Sequence, residues 1–324
     1  ASSPCIDAGR DTGETAFGSV MRDYEGDPRG FNGYALTTVS RGDGSDYDIG
    51  ADEYYSADPG RPAVWYVDKF NNSGVETGQE WGSAFTNLQD ALDAAFLGNV
   101  DGGEIWVTEG VYTGSGNNHG AIVLHAGVRV YGGFAGNEAS REERDWIKHP
   151  TILDGSTARN GNPAYHVVIG ADSAVLDGFV ITGGNANGSE TPDNEGGGMW
   201  NQDASPIVRN CVFYGNRAER GSGAGMMNDG ASPTITNCIF YDNTSVHGSG
   251  GAIANREGAN PIIANCTITN NRSTSAYGGG IFVYYYVDSC TITNCTITGN
   301  QAHSGGGIGA AGTNVVISGC TITG

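Results

Sequence analysis

The sequence predicts an all-β fold: a parallel β-helix with three strands per coil and one short α-helix capping its N-terminal end. Three observations carry this expectation. Five Gly-rich strings, GGGM, GAGM, GGAI, GGGI and GGGI, end at Met199, Met226, Ile253, Ile281 and Ile308, spaced 27, 27, 28 and 27 residues apart. Downstream of each string comes a Cys, at Cys211, Cys238, Cys266, Cys295 and Cys320, preceded by Asn210, Asn237, Asn265, Asn294 and Gly319. Finally, 54 of 324 residues are Gly while hydrophobic residues make up only 38 %, which without a collagen period means many turns and few long helices. Self-similarity at such a period is the signature of a solenoid.

Within each repeat, three short apolar runs recur. One follows the Gly string. A second carries Val208, Ile235, Ile263, Ile292 and Ile317, and a third alternates Cys with Phe213, Phe240, Ile268, Ile297 and Ile322. Alternation at period two means strands with one buried face. Asn or Gly between the second and third runs marks a bend, because these residues tolerate left-handed backbone at little cost. Asn216, Asn243, Asn271 and Asn300, five residues after the first four Cys, mark the next turn together with the Gly strings. Stacked coils then form ladders of like residues. In that reading the Cys column is a stack of small buried hydrophobes, since no CxxC-type ligand spacing occurs and stacked side chains pointing the same way suit a disulfide poorly. Cys290 falls in the column of Pro206, Pro233 and Pro261.

The organisation along the chain follows. Residues 1–58 show no period and read as an irregular segment, and Pro59, Gly60 and Pro62 make 59–62 a linker. Residues 63–150 hold the capping helix and the first irregular coils, and 151–324 the regular ones. Leu88, Ala91, Leu92, Ala95 and Phe96 form one apolar helix face. Thr86 with Gln89 makes a capping box that starts the helix near Asn87. Such a helix laid over the terminal coil hides an edge that would otherwise pair with other chains. VLDGFVITGGNA reads as a repeat with Gly178 in the Cys place.

Charge narrows the function. Acidic residues total 36 against 16 Lys plus Arg, and lysine occurs only at Lys69 and Lys148. A net charge of −20 opposes nucleic acid and anionic membrane surfaces, and no apolar run is long enough for a spanning helix. Low lysine with abundant Gly, Asn and Thr suits an extracellular protein. The opening ASSPCIDAG, without Met or a basic-then-apolar leader, is expected of a mature product or a fragment.

GGAI with NCxFxxN and NCTITGN resembles the right-handed parallel β-helix repeats of bacterial surface proteins, including polymorphic outer-membrane-type and choice-of-anchor proteins. WYVDKF, WGSAFTNLQDALDAA and GGEIWVTEGVYT are similar to the N-terminal cap and first coil of such proteins. SPCIDAG, GDPRG and DIGADEY resemble their closing segment, which in that family follows the last coil but here stands at the N-terminus. Two accounts fit that order: one unit of a longer tandem protein, or a copy whose residues 1–58 complete the open last coil of the next. The second is a heterologous contact that generates filaments through strand addition.

The expected function is an extracellular structural protein, a rod-like subunit stacking head to tail on copies of itself. Cys5, Ile6 and Ile49 of one copy would meet Ile317, Cys320 and Ile322 of the next. The alternative is an adhesin or carbohydrate-binding module of a longer surface protein, with consecutive Tyr284, Tyr285 and Tyr286 contacting glycan or a partner, because neighbouring strand residues alternate faces. A third reading is a polysaccharide lyase or hydrolase. It lacks support from paired Asp, HG or RxK signatures, and the acids near turns (Asp203, Asp229 and Glu257) offer little in register, so no catalytic residue is assigned. RGDGSDYDIGADE places Asp43, Asp46, Asp48 and Asp52 in a Gly-rich loop whose oxygens suit calcium or simply remain solvated; no other cofactor is expected. The six His show no metal spacing and receive no role.

Overall fold

The computed structural model describes residues 64–98, 103–114, 119–312 and 314–323. The segment 1–58 and the linker 59–62, with Cys5, Ile6, Asp43, Asp46, Asp48, Ile49 and Asp52, lie outside the described residues. What is described is an all-β parallel solenoid of about eight turns with a single α-helix.

Three long sheets form its faces. A nine-stranded sheet runs from Val64–Val67 to Val315–Ser318, an eight-stranded sheet from Gly110–Tyr112 to Thr321–Thr323, and a seven-stranded sheet from Ile122–Val123 to Ile308–Ala310. Their register is that of the sequence columns. Met199 pairs with Met226, then Ile253, Ile281 and Ile308, and Val208 with Ile235, Ile263, Ile292 and Ile317. A fourth, four-stranded sheet of two-residue strands follows the second Asn column: Asn185–Ala186, Arg217–Ala218, Thr244–Ser245 and Arg272–Ser273. Small or polar residues with no apolar alternation left that sheet outside the sequence reading.

The turns explain the repeated residues. Asn210, Asn237, Asn265 and Asn294 all hold φ between 52° and 55°, and Gly319 holds 63°; a β-branched residue there would be strained. The first Gly of each string, at 196, 223, 250, 278 and 305, is also left-handed. A Cβ on Gly223 would stand 2.4 Å from the Met226 carbonyl oxygen, so that column has no room for a side chain.

Inside, each ladder stacks like on like. Phe213 and Phe240 lie face to face with centroids 4.6 Å apart, and the core-facing Ile, Val, Met and Phe of the regular coils before the last are buried, each worth about 1.5–3 kcal/mol relative to exposure. Cys211, Cys238, Cys266 and Cys295 are free and buried, with Cys320 half-buried. Their thiols donate to carbonyls two residues back, Cys211 to Arg209 at 3.2 Å and Cys238 to Thr236 at 3.3 Å. Burial pushes the Cys238 thiol up and the Cys290 thiol up to about 12.

Asn216, Asn243, Asn271 and Asn300 point inward as a second ladder. The Oδ1 atoms of Asn243, Asn271 and Asn300 accept from the backbone N–H of the Asn one coil earlier, at 3.1, 3.0 and 2.8 Å, and Asn216 Oδ1 accepts from Gly184 N–H at 3.1 Å. Each Nδ2 donates to a carbonyl of the strand below, as from Asn243 to Phe213 at 2.9 Å. A third ladder, Asn201 to Asn228 to Asn255, runs under the seven-stranded sheet with Nδ2–Oδ1 distances of 2.8 and 2.7 Å.

Three local expectations are corrected. The helix, α1 (Leu88–Gly98), is capped by Asn87, whose Oδ1 accepts from Gln89 N–H at 2.8 Å. The capping box does not form, because Thr86 is held by Glu76 through both its N–H and its hydroxyl and the Gln89 side chain turns to Val123 and Asp93. Leu88, Ala91, Leu92 and Ala95 are buried over the first coil, but Phe96 is 47 % exposed and stacks on His125 at 4.6 Å. Gly178 occupies the Asn column, with φ 85°; Val180 pairs with Val212, so the buried Phe179 takes the Cys place.

Candidate functional site

Loops between the second Asn turn and the Gly string fold over the outer face of the seven-stranded sheet. There the outward residues Trp200, Met227 and Ala254 form a small buried cluster, joined by Tyr284. At one end of this face a cleft of about 530 Å³ opens between successive coils. Ile169 and Trp200 are register partners on neighbouring strands and supply its apolar floor. Gln202, two residues beyond Trp200, stands exposed at the rim. Pro192 and Asp193 come from the covering loop, and His119 from a turn one coil earlier.

His166 completes the floor. It is 1 % exposed and its ring stacks on Trp200 at 5.7 Å with planes 25° apart. Its Nδ1 lies 3.0 Å from the Gly196 carbonyl. A carbonyl only accepts, so Nδ1 carries the proton and Nε2 of the neutral ring is a bare acceptor, which has no partner. Burial holds the imidazole below its ordinary value, opposed by the Gly196 carbonyl. At the rim, His119 Nδ1 meets Asp193 Oδ1 at 3.0 Å. Among the described residues, no Lys or Arg lines the cleft.

Beside the cleft the covering loop is pinned by charge. Arg256 binds Glu195 at 2.8 Å through Nη1 and Asp229 at 2.8 Å through Nη2, tying residues 61 and 27 positions apart. Burial pushes the Glu195 carboxyl up, against the pull of Arg256, while the two carboxylates hold Arg256 firmly charged despite its burial. Both acids are thus committed to one guanidinium. Asp203 and Glu257 share a turn column, each left-handed at φ 50° and 55°, with Gly230 between them; Asp229 stands one place earlier, on the strand.

The Tyr triplet divides. Tyr284 packs on the outer cluster, its hydroxyl 2.7 Å from Ser222 Oγ, whereas Tyr285 and Tyr286 are 73 % and 77 % exposed in a turn. Asp177, at the other sheet, is buried between Arg144 at 2.8 Å and Arg209 at 2.7 Å and receives Asn210 Nδ2 at 2.8 Å, which staples the loop before Thr151 to the coil. Among the described residues no three His, Cys, Asp or Glu side chains converge as a metal site, and no helix is long and apolar enough to cross a membrane.

The cleft was missed from sequence. His166 is set beside Trp200 by the stacking of its coil, His119 comes from a turn one coil earlier, and the loop before Gly196 brings Asp193 over them; none of the three recurs in the repeat. The recurring Asn201, Asn228 and Asn255, two residues past Met199, Met226 and Ile253, were a readable signal of the third ladder.

Comparison with known proteins agrees with the architecture. The family model for the right handed beta helix region matches residues 165–324. No curated protein and no solved structure matches the chain. Parallel register through every coil, one terminal helix and that match together make the fold a right-handed β-helix.

Proposed function

We propose that this chain is a saccharide-binding β-helix module of an extracellular or cell-surface protein. One observation carries the reading: a cleft with an apolar floor of Ile169 and Trp200, ringed by a few hydrogen-bonding side chains, the composition expected of a small-molecule site. A saccharide presents apolar ring faces and dense hydroxyls, and Asp193 and Gln202 offer acceptors for those hydroxyls. The acidic surface and the resemblance to bacterial surface repeats agree with that setting. Catalysis is not part of the proposal: Asp193, the acid that lines the cleft, is paired with His119, and Glu195 and Asp229 beside it are both bound to Arg256. The test is a glycan array probed with the wild-type chain, Gln202→Ala, and a Tyr285→Ala/Tyr286→Ala double variant. Signal lost in Gln202→Ala and kept in the double variant supports the cleft; the reverse moves the site to the Tyr turn.

A second reading, a rod extended by end-to-end stacking, is favoured by the last described coil. Ile317 and Ile322 are 46 % and 44 % exposed, while Ile292 and Ile297 of the same ladders are buried. A further coil would cover them, whether from the same chain or from residues 1–58 of a second copy. Sedimentation separates these: concentration-dependent growth that vanishes when 1–58 are deleted supports the second copy, and monodisperse monomers contradict it. Calcium at Asp43, Asp46, Asp48 and Asp52 is the accompanying proposal, tested by calcium calorimetry on the full chain.

A further inference from the structure

We propose that Arg256, two coils beyond the cleft, is the positioning residue of that site: by gripping Glu195 it fixes the turn that presents Asp193 to the ligand. This rests on the saccharide-binding reading and adds the residue that organises the site. Asp193 is the charged group that the covering loop brings to the cleft, with its side chain 27 % exposed. It occupies a central position of the turn from Pro192 to Glu195, closed by the Glu195 N–H donating to the Pro192 carbonyl at 3.0 Å. In a closed turn of four residues the direction of a central side chain follows the corners. The corner at Glu195 therefore sets Asp193.

Charge holds that corner. Glu195 is buried, and its two carboxylate oxygens lie 2.8 Å from Nη1 and Nη2 of Arg256. The register Gln202–Asp229–Arg256 along the seven-stranded sheet puts Arg256 in the same column as the rim residue Gln202. Asp229, between them, takes Nη2 at 2.8 Å. A planar guanidinium fork serves two carboxylates at once, which the point charge of a lysine does not. Two backbone bonds, Gly221 N–H to the Asn194 carbonyl at 3.0 Å and Gly196 N–H to the Ser222 carbonyl at 3.1 Å, join the loop to the next coil. They fix the path of the chain, whereas the charge clamp fixes Glu195 itself. Toward the cleft, Asp193 bonds to His119, whose side chain is exposed, and exposed pairs of this kind hold little. Without Arg256 the buried Glu195 carboxylate is drawn out to water, and the turn from Pro192 moves with it.

The experiment is calorimetry of the full chain at pH 7.5 with cello-, xylo-, galacto- and chito-oligosaccharides and oligogalacturonate, together with amide exchange in the absence of ligand. The clamp is removed as Arg256→Met/Glu195→Gln/Asp229→Asn, which leaves none of its charges unpaired, and circular dichroism verifies the fold of that triple variant. Asp193→Ala, alone and combined with the triple variant, completes a double-mutant cycle. For an oligosaccharide that the wild type binds, the triple variant and Asp193→Ala each bind about ten-fold more weakly, and the combined variant no more weakly than Asp193→Ala. Exchange in the triple variant quickens across 188–196 and stays unchanged across 166–170. Wild-type affinity in the triple variant overturns the inference. So do losses that multiply to about a hundred-fold in the combined variant, since Arg256 then acts by a route other than Asp193. If no oligosaccharide binds the wild type, the saccharide reading falls and exchange decides the rest: unchanged rates across 188–196 overturn the positioning role, and quickened rates sustain it.

Discussion

Removing one side chain from the middle of the inner Asn ladder tests how the coils are held. Asn243→Ala deletes an acceptor and a donor from a site closed to water. Asn243 Oδ1 serves the Asn216 backbone N–H at 3.1 Å and Asn216 Nδ2 at 3.2 Å, and its Nδ2 serves the Phe213 carbonyl at 2.9 Å. Asn216 Nδ2 keeps the Ile181 carbonyl at 3.0 Å, so the Asn216 N–H is the group orphaned outright. An orphaned buried N–H costs about 1–3 kcal/mol and the lost bond to Phe213 about 1 kcal/mol more, giving a destabilisation of about 2–4 kcal/mol. The assay is urea unfolding followed by far-ultraviolet circular dichroism, with Asn237→Gly as control. Asn237 is exposed and left-handed at φ 55°, and Gly adopts that conformation freely, so the control stays within about 0.5 kcal/mol of wild type. Equal midpoints for Asn243→Ala and the control would refute the claim that inter-coil Asn bonds stabilise the stack.

Three more outcomes follow from the geometry. Arg256→Met leaves the buried Glu195 and the partly buried Asp229 without their cation and destabilises by about 3–5 kcal/mol in urea; adding Glu195→Gln and Asp229→Asn restores most of the loss, and a single-variant effect below about 1 kcal/mol contradicts the charge clamp. Because burial holds His166 below its ordinary 6.5, the unfolded chain takes up a proton that the folded chain refuses. Stability therefore falls as pH drops below about 6.5, and thermal melts at pH 7.5 and 5 show a larger loss for wild type than for His166→Asn. A maleimide pulse on native protein labels Cys320 and spares Cys211, Cys238, Cys266 and Cys295 until denaturant is added; peptide mass mapping reads the result, and native labelling of Cys238 would mean that the ladder opens.

Repetition made most of the fold legible. A residue appearing once says little, but Met199, Met226, Ile253, Ile281 and Ile308 at near-constant spacing fix both the strand and its register, because stacked coils must align like with like. The conformational preferences of Asn and Gly then located the bends. Where the period is weak, reading slipped: Phe179 fills the Cys place one position from Gly178, and Thr86 lost the cap to Asn87 through a bond to Glu76 that no local spacing reveals. The short sheet at Arg217–Ala218 and its neighbours carries no apolar alternation and was invisible for that reason. The cleft is the hardest case, since Asp193 meets His166 and Trp200 only when a loop closes over a sheet face, and loop closure is not periodic.

The most direct test of the saccharide-binding account is hydrogen–deuterium exchange on the full chain, with and without the tightest-binding oligosaccharide from the glycan array. The account predicts slowed exchange confined to the segments 166–170 and 192–202, which border the cleft on two coils and the loop between them. Protection centred instead on 277–286, around Tyr285 and Tyr286, or protection nowhere along the chain, would contradict it.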